Sequence, residues 1–377
     1  MIYFDSAATT LQKPAIVHKA VESAMLSCGN PGRSGHKAAM YASKVVYDAR
    51  EQIADFFGMN EPERVVFTCN ATHALNIAIK SQLKDGGHVV ISGYEHNSVA
   101  RPLEAMPNVT YTVAHTPVFD SETAFEEITA AVREDTVCII TTHVSNVFGF
   151  VMPIERLDSF CGEKHIKLII DASQSAGVLK INASDLKNTS FICMPGHKSL
   201  YGPQGTGILL CCNTDKLYSL MQGGTGSDSR SLIQPEMLPD LFESGTLNVC
   251  GIAGLAEGVK YITKRGLSEI EQCEKDLARR LVVKLRDIKG ITVYYDRLNH
   301  CGPISITADN IPSEDLCGML AEKGFCLRGG LHCSPLAHKS AGTLKEGTAR
   351  VSFSIFNNVR EVDLFALELK KIMSSQK

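Results

Sequence analysis

The chain has 377 residues, is 44% hydrophobic and 21% charged, and carries a formal net charge of −3. That length suits two domains or one large domain with a satellite, and the near-balanced charge offers no electrostatic footprint for nucleic acid or an anionic membrane. No apolar run reaches membrane-spanning length, the longest being the strand-sized GILLCC, and MIYFDSAATT lacks the basic region of a secretory signal.

From residue 60 onward, short β-rich runs alternate with helical patterns. RVVFT (64–68) predicts a strand, ATHALNIAIKSQL (71–83) a helix and HVVIS (88–92) a strand. Further strands are predicted at TVCIITT (136–142), KLIID (167–171), SFICM (190–194) and GILLC (207–211). Continuous apolar strands separated by helices specify an α/β fold whose mostly parallel sheet is covered on both faces. After about residue 250 the texture changes. Two helical stretches over about 250–287 precede ITVYY, PISIT, a helix near 313–323, ARVSFSI and a terminal helix near 360–375. This order predicts a large α/β domain followed by a smaller α+β C-terminal domain. The first dozen residues are free to join either, and the division adopted is 14–255 for the large domain and 1–13 with 256–377 for the small one.

Thirteen cysteines are scattered without CxxC spacing, and Cys211 and Cys212 are adjacent. That pattern suits neither zinc nor a disulfide framework. It reads as buried thiols in the reducing cytoplasm.

Ligands of open α/β sheets gather beyond the carboxyl ends of the strands, and four residue groups fall there. FTCNATHAL ends a strand and opens a helix, so Ala71 and Thr72 can offer N–H groups and a hydroxyl to a phosphate. SGYEHNSV places His96 past the next strand, LIIDASQSAG places Asp171 and Gln174 past another, and Lys198 in CMPGHKSLYGPQGTG follows SFICM. Singly, each has a plain explanation: a helix cap, a satisfied polar side chain, a turn carboxylate, a solvated lysine. Jointly, at successive strand ends, they form the set that pyridoxal 5'-phosphate requires. That set is a lysine for the Schiff base, a carboxylate to keep the ring nitrogen protonated, a phosphate cup, and a stacking ring that His96 can supply. A Walker-type loop is absent, which argues against nucleotide hydrolysis.

These residues belong to a longer pattern. YFDSAATT, FTCNATHALN, EHNS, HVSNVFG, DASQSAG, GHKSLYGPQGTGIL, FESGTLN, RGGLHCSPLAH and ARVSFSIFN follow one another along nearly the whole chain. Together they resemble the class V, fold-type I pyridoxal phosphate enzymes, in the cysteine desulfurase and selenocysteine lyase branch. The resemblance implies that Lys198 holds the cofactor as a Schiff base, Asp171 pairs with the ring nitrogen, Gln174 holds the ring 3-oxygen and His96 stacks on the ring. It also implies a phosphate held by Thr72 and His197 of one subunit and Thr246 of the other, hence a homodimer. The family often has a serine two residues before the histidine of Gly-His-Lys; here that position is Pro195, so one phosphate hydroxyl is missing.

By the same resemblance, Cys333 is the nucleophile that takes the substrate sulfur as a persulfide, with Arg328, His332 and Lys339 as neighbours that would lower its pKa. Arg350 would fork the substrate α-carboxylate, as a guanidinium can and an ammonium cannot, with Asn146 assisting. NPGRSGHKA, with Arg33 and His36, is similar to a segment at the family's active-site entrance, and His36 is carried as a substrate contact. The implied reaction is L-cysteine to L-alanine, with His96 carrying a proton and the sulfur passing on to an acceptor protein. The short run from Cys333 to Arg350 resembles a compact cysteine loop, for which L-selenocysteine is also a substrate. A class V aminotransferase or lyase in which Cys333 is incidental stays open. No metal site is expected, because His332, Cys333 and His338 have no second ligand pair at zinc-like spacing.

Overall fold

The computed structural model describes residues 1–32, 34–214 and 217–375. The chain opens with β1 (Ile2–Tyr3), α1 (Ala15–Ser27) and α2 (Lys37–Phe57). There follow β2 (Val65–Thr68), α3 (Ala71–Gln82), β3 (Gly87–Ser92), α4 (Asn97–Glu104), β4 (Val109–Ala114) and α5 (Ser121–Ala130). Next come β5 (Thr136–Thr142), α6 (Ile154–Lys164), β6 (Lys167–Asp171), β7 (Thr189–Pro195) and β8 (Gly207–Cys211). The remainder comprises α7 (Val249–Arg265), α8 (Leu267–Leu285), β9 (Ile291–Tyr294), β10 (Ile304–Ala308) and α9 (Ser313–Glu322). It ends with β11 (Phe325–Cys326), α10 (Pro335–Ser340), β12 (Ala349–Val351) and α11 (Val359–Ser375).

The main sheet has seven strands in the order β2-β8-β7-β6-β5-β3-β4. Its pairs are parallel except those that β8 makes with β2 and β7, so the expected mostly parallel α/β sheet is what forms. The alternation of side chains along each strand feeds two cores. Val90, Leu168, Ile170 and Ile192 pack on one face, while Val89, Ile91, Ile169 and Phe191 pack on the other. The helices cover both faces, and β7 and β8 are buried along their whole length.

A separate, smaller core forms around Phe4, Leu281, Ile304, Ile306, Val351 and Phe365. It is sheathed by an antiparallel sheet ordered β12-β10-β9, with β1 pairing parallel to β11. Phe4 thus sits with the C-terminal part. The expected break at 255/256 falls inside α7, whose Val259 and Ile262 pack in the large core together with Ile270. ARVSFSI is a strand only to Val351, because Ser352 N–H turns to donate to Phe4 O at 2.8 Å instead. Helices α1, α2, α4, α5, α6 and α10 and strands β1, β4 and β11 lie outside the predicted runs. No helix among the described residues is long and apolar enough to cross a membrane.

Candidate active site

Thr142, Asp171 and Cys193 are register neighbours at the carboxyl ends of β5, β6 and β7. Beyond them lies a cavity of about 190 Å³ walled by Asp171, Gln174, His197 and Lys198. Ala71, Thr72, His96 and Asn146 close its other side. The structure therefore gathers into one cavity eight residues that the sequence places up to 127 positions apart (198 − 71 = 127).

Burial lowers the Lys198 pKa to about 8; Asp171 opposes this, while Arg350 and Arg328 add to it. The amine is therefore substantially neutral near pH 8, the form that attacks an aldehyde. Asp171 is buried, and its Oδ1 accepts the Ser173 N–H at 2.9 Å. Gln174 Nε2 donates to Ala7 O at 3.1 Å, which uses one of its two protons. Gly177 has φ +91°, and a Cβ there would lie 2.3 Å from the carbonyl oxygen of Ser199. Only glycine lets the turn after β6 come so close to the residue following Lys198.

His96 caps α4. Its Nδ1 accepts the Ser98 N–H at 3.0 Å and lies 2.9 Å from the Ser98 hydroxyl. Burial pushes its pKa down to about 4, with Asp171 opposing, so the ring is neutral and carries its proton on Nε2. Ser98 Oγ is also 2.8 Å from Thr72 Oγ1. His197 is likewise neutral, its pKa lowered to about 4 by burial and then by Lys198 and Lys13. Its Nδ1 is 3.1 Å from Thr9 Oγ1, and its carbonyl accepts from Lys13 Nζ at 2.7 Å.

Arg350 is buried on β12. Its Nη1 donates to Asn146 O and its Nη2 to Asp5 Oδ1, each at 2.9 Å, while its Nε has no partner among the described residues. The second Asp5 oxygen lies 3.3 Å from Arg328 Nη2. Asn146 reaches the Cys333 segment from both sides. Its Nδ2 donates to His332 O at 2.9 Å, and its Oδ1 accepts the Ser334 hydroxyl at 2.7 Å. Cys333, between these two, is exposed, and its carbonyl accepts the Asn97 N–H at 2.8 Å, next to His96. His332 and Cys333 have φ of 51° and 58°, a left-handed pair costing roughly 1–2 kcal/mol per residue that these hydrogen bonds hold in place.

The expectation that His332 would add positive charge beside Cys333 fails. Its ring is buried, its Nε2 lies 2.9 Å from Thr348 O, and burial drives its pKa to about 2, so it is neutral. Lys339 is exposed on α10, where its charge acts on His115. Arg328 pairs with Asp5. Thr246 and His36 are not brought to the Lys198 cavity. Thr246 is exposed and lines a separate cavity of about 370 Å³ with Asn30, Pro31 and Gly32, and His36 caps α2 at the surface. Arg33 lies outside the described residues. Sequence reasoning missed Asp5, Lys13 and Ser98. Asp5 and Ser98 stood inside the quoted YFDSAATT and EHNS stretches, but nothing in their spacing marked them.

A cavity beyond the carboxyl ends of a mostly parallel sheet, lined by a buried lysine and a buried carboxylate, defines a class of protein. The Aminotransferase class-V family profile matches residues 2–365, and the chain belongs to that family. Within it, a probable cysteine desulfurase of Borreliella burgdorferi is 30% identical, covering 99% of this chain and 92% of its own. Another from Methanothermobacter thermautotrophicus is 30% identical over 98% of this chain and 94% of its own. The apo structure of a cysteine desulfurase from Thermococcus onnurineus NA1 superposes with a TM-score of 0.91 at 28% identity, covering 99% of this chain and 95% of that one.

Proposed function

We propose that this chain is a pyridoxal-phosphate-dependent cysteine desulfurase that converts L-cysteine to L-alanine and leaves the sulfur as a persulfide on Cys333. The observation that carries this reading is the pair of hydrogen bonds, one donated and one accepted, by which Asn146, a wall residue of the Lys198 cavity, holds the two neighbours of Cys333. The residues present fit the cofactor. A lysine of lowered pKa faces a buried carboxylate, and a helix N-terminus with two hydroxyls adjoins them. When bound, pyridoxal phosphate supplies an electron sink for the bonds at the substrate Cα.

Lys198 would hold the cofactor aldehyde. Asp171 would keep the ring nitrogen protonated, Gln174 would offer its second N–H to the ring 3-oxygen, and the neutral His96 ring would stack on the pyridine face. Ala71, Thr72 and His197 receive the phosphate. Arg350 offers its unpartnered Nε–H to the substrate α-carboxylate, with the second Nδ2 proton of Asn146 beside it. The free Lys198 amine would be a base for the substrate Cα proton, and His96 would pass a proton through Nε2. The Cys333 thiolate then attacks the substrate sulfur. A sulfur–sulfur bond forms as the carbon–sulfur bond breaks with its electron pair left on carbon, and the carbon skeleton takes up one proton at Cβ, regains one at Cα and leaves as L-alanine.

The reading includes a homodimer in the cytoplasm. Thr246 and the Asn30–Gly32 stretch share a cavity apart from Lys198, which supports their serving the partner's site. The free cysteines support a reducing compartment. The ordered Cys333 turn keeps L-selenocysteine as an alternative substrate, and a protein acceptor takes the persulfide sulfur. The test is to supply L-cysteine or L-selenocysteine with a reductant and measure products. Equimolar alanine and sulfide from L-cysteine are expected. A keto acid without alanine would make this an aminotransferase or lyase with an incidental Cys333, and turnover of L-selenocysteine alone would make it a selenocysteine lyase.

A further inference from the structure

Helices α3 and α4 both begin at the wall of the Lys198 cavity. In α3, Asn70 Oδ1 accepts the His73 N–H at 2.9 Å, and the N–H groups of Ala71 and Thr72 have no partner among the described residues. In α4, His96 Nδ1 already accepts the Ser98 N–H, so the Ser98 hydroxyl is not needed to cap the helix. Ser98 is only 8% exposed and lines the cavity, and its hydroxyl lies within hydrogen-bond distance of Thr72 Oγ1 and His96 Nδ1. Across the cavity, Pro195 brings neither a hydroxyl nor an N–H. The cavity thus lacks a donor at 195 and has one at 98 that no backbone group requires.

We propose that Ser98 is a ligand of the cofactor phosphate and supplies the hydroxyl that Pro195 lacks; this rests on the pyridoxal phosphate reading above. A hydroxyl proton turns about its C–O bond at little cost. A phosphate seated at the free N–H groups of Ala71 and Thr72 draws the Ser98 and Thr72 protons toward itself, because a hydrogen bond to an anion is roughly twice as strong as one to a neutral acceptor. His96 keeps the Ser98 backbone N–H throughout, so the start of α4 is undisturbed. The competing role, in which Ser98 only orients the His96 ring, acts on the cofactor ring and is indifferent to the phosphate.

The test titrates the cofactor-free full chain with pyridoxal phosphate and with pyridoxal, which has the same ring and aldehyde but no phosphate. Dissociation constants are read from the absorption of lysine-bound pyridoxal at about 420 nm. Ser98→Ala should weaken pyridoxal phosphate about 10-fold or more, the scale of one hydrogen bond to a charged group, and leave pyridoxal unchanged. Ser98→Cys, which keeps the packing but replaces the hydroxyl by a poor donor, should lose the same preference. Equal weakening of both ligands in the two variants, or a wild-type ratio of affinities in either, would overturn the assignment. If the unaltered chain develops no absorption with either ligand, the cofactor reading itself falls, an outcome distinct from loss of the Ser98 role.

Discussion

A lysine in water holds its proton to about pH 10.4, whereas burial brings Lys198 to about 8. The sign follows directly. Lowering the pKa of a cation populates its neutral form at lower pH, so cofactor capture by the cofactor-free chain should accelerate up to about pH 8 and then level off. Stopped-flow absorbance against pH checks this, and a rate still climbing at pH 10 would mean that an unperturbed amine does the work. Lys198 is the lysine that lines this cavity among the described residues, so Lys198→Ala should abolish capture altogether with the fold intact by circular dichroism. Glu95 is perturbed in the opposite sense. Wholly buried, it accepts the Thr142 N–H at 2.7 Å and the Ser92 hydroxyl, and burial raises its pKa from 4.5 to about 8. The folded chain keeps this proton up to about pH 8 while the unfolded chain releases it above about 4.5, so the group's contribution to stability falls as pH rises through that window. Glu95→Gln is neutral at every pH. It should match the native chain in urea unfolding at pH 5 and exceed it at pH 9 by on the order of a few kcal/mol; equal stability at both would show that Glu95 is not held protonated.

Among the elements, the turn after β6 controls how Asp171 meets Lys198. Gly177→Ala drives a Cβ into the Ser199 carbonyl at a positive φ and should cost at least about 2 kcal/mol. It should also weaken cofactor binding, measurable by titration; an unchanged affinity would uncouple this turn from Lys198. The same elements show what the sequence made legible. β5, β6 and β8 lie where their continuous apolar runs put them, at 136–142, 167–171 and 207–211, because a strand buried on both faces has no alternative composition. Cavity residues following those strands were readable because their positions are dictated by the sheet. Asp5 was not, since it reaches Arg350 only through the pairing of the N-terminal segment with Ser352 across 347 positions (352 − 5 = 347). Ser98 was hidden too: its partner Thr72 lies on another helix, and nothing local in EHNS distinguishes a cavity hydroxyl from a capping one. The reading of His332 as a cation failed because its burial, which decides its charge, comes from tertiary packing.

At the scale of the whole molecule, the site is built where two cores meet. The large core provides the Lys198 cavity, while β12 of the small one carries Arg350 to Asn146 and to Asp5 of the N-terminal segment. Leu232, Ile233 and Met237 are exposed on the stretch before α7, and Tyr47 stands exposed at the cavity that Thr246 lines. Apolar surface of this kind suits the proposed dimer interface, and light scattering should find a dimer; an active monomer at working concentration would overturn the proposed sharing of the site. In the proposed reaction Cys333, held beside this cavity, accepts the sulfur. The direct test is to incubate the holoenzyme with L-cysteine, without reductant, and locate the added sulfur by peptide mass spectrometry while measuring alanine. The account predicts a persulfide on Cys333, and in Cys333→Ser no persulfide and alanine release lower by about three powers of ten or more. Near-native alanine release from Cys333→Ser, or a persulfide formed on another cysteine, would contradict it.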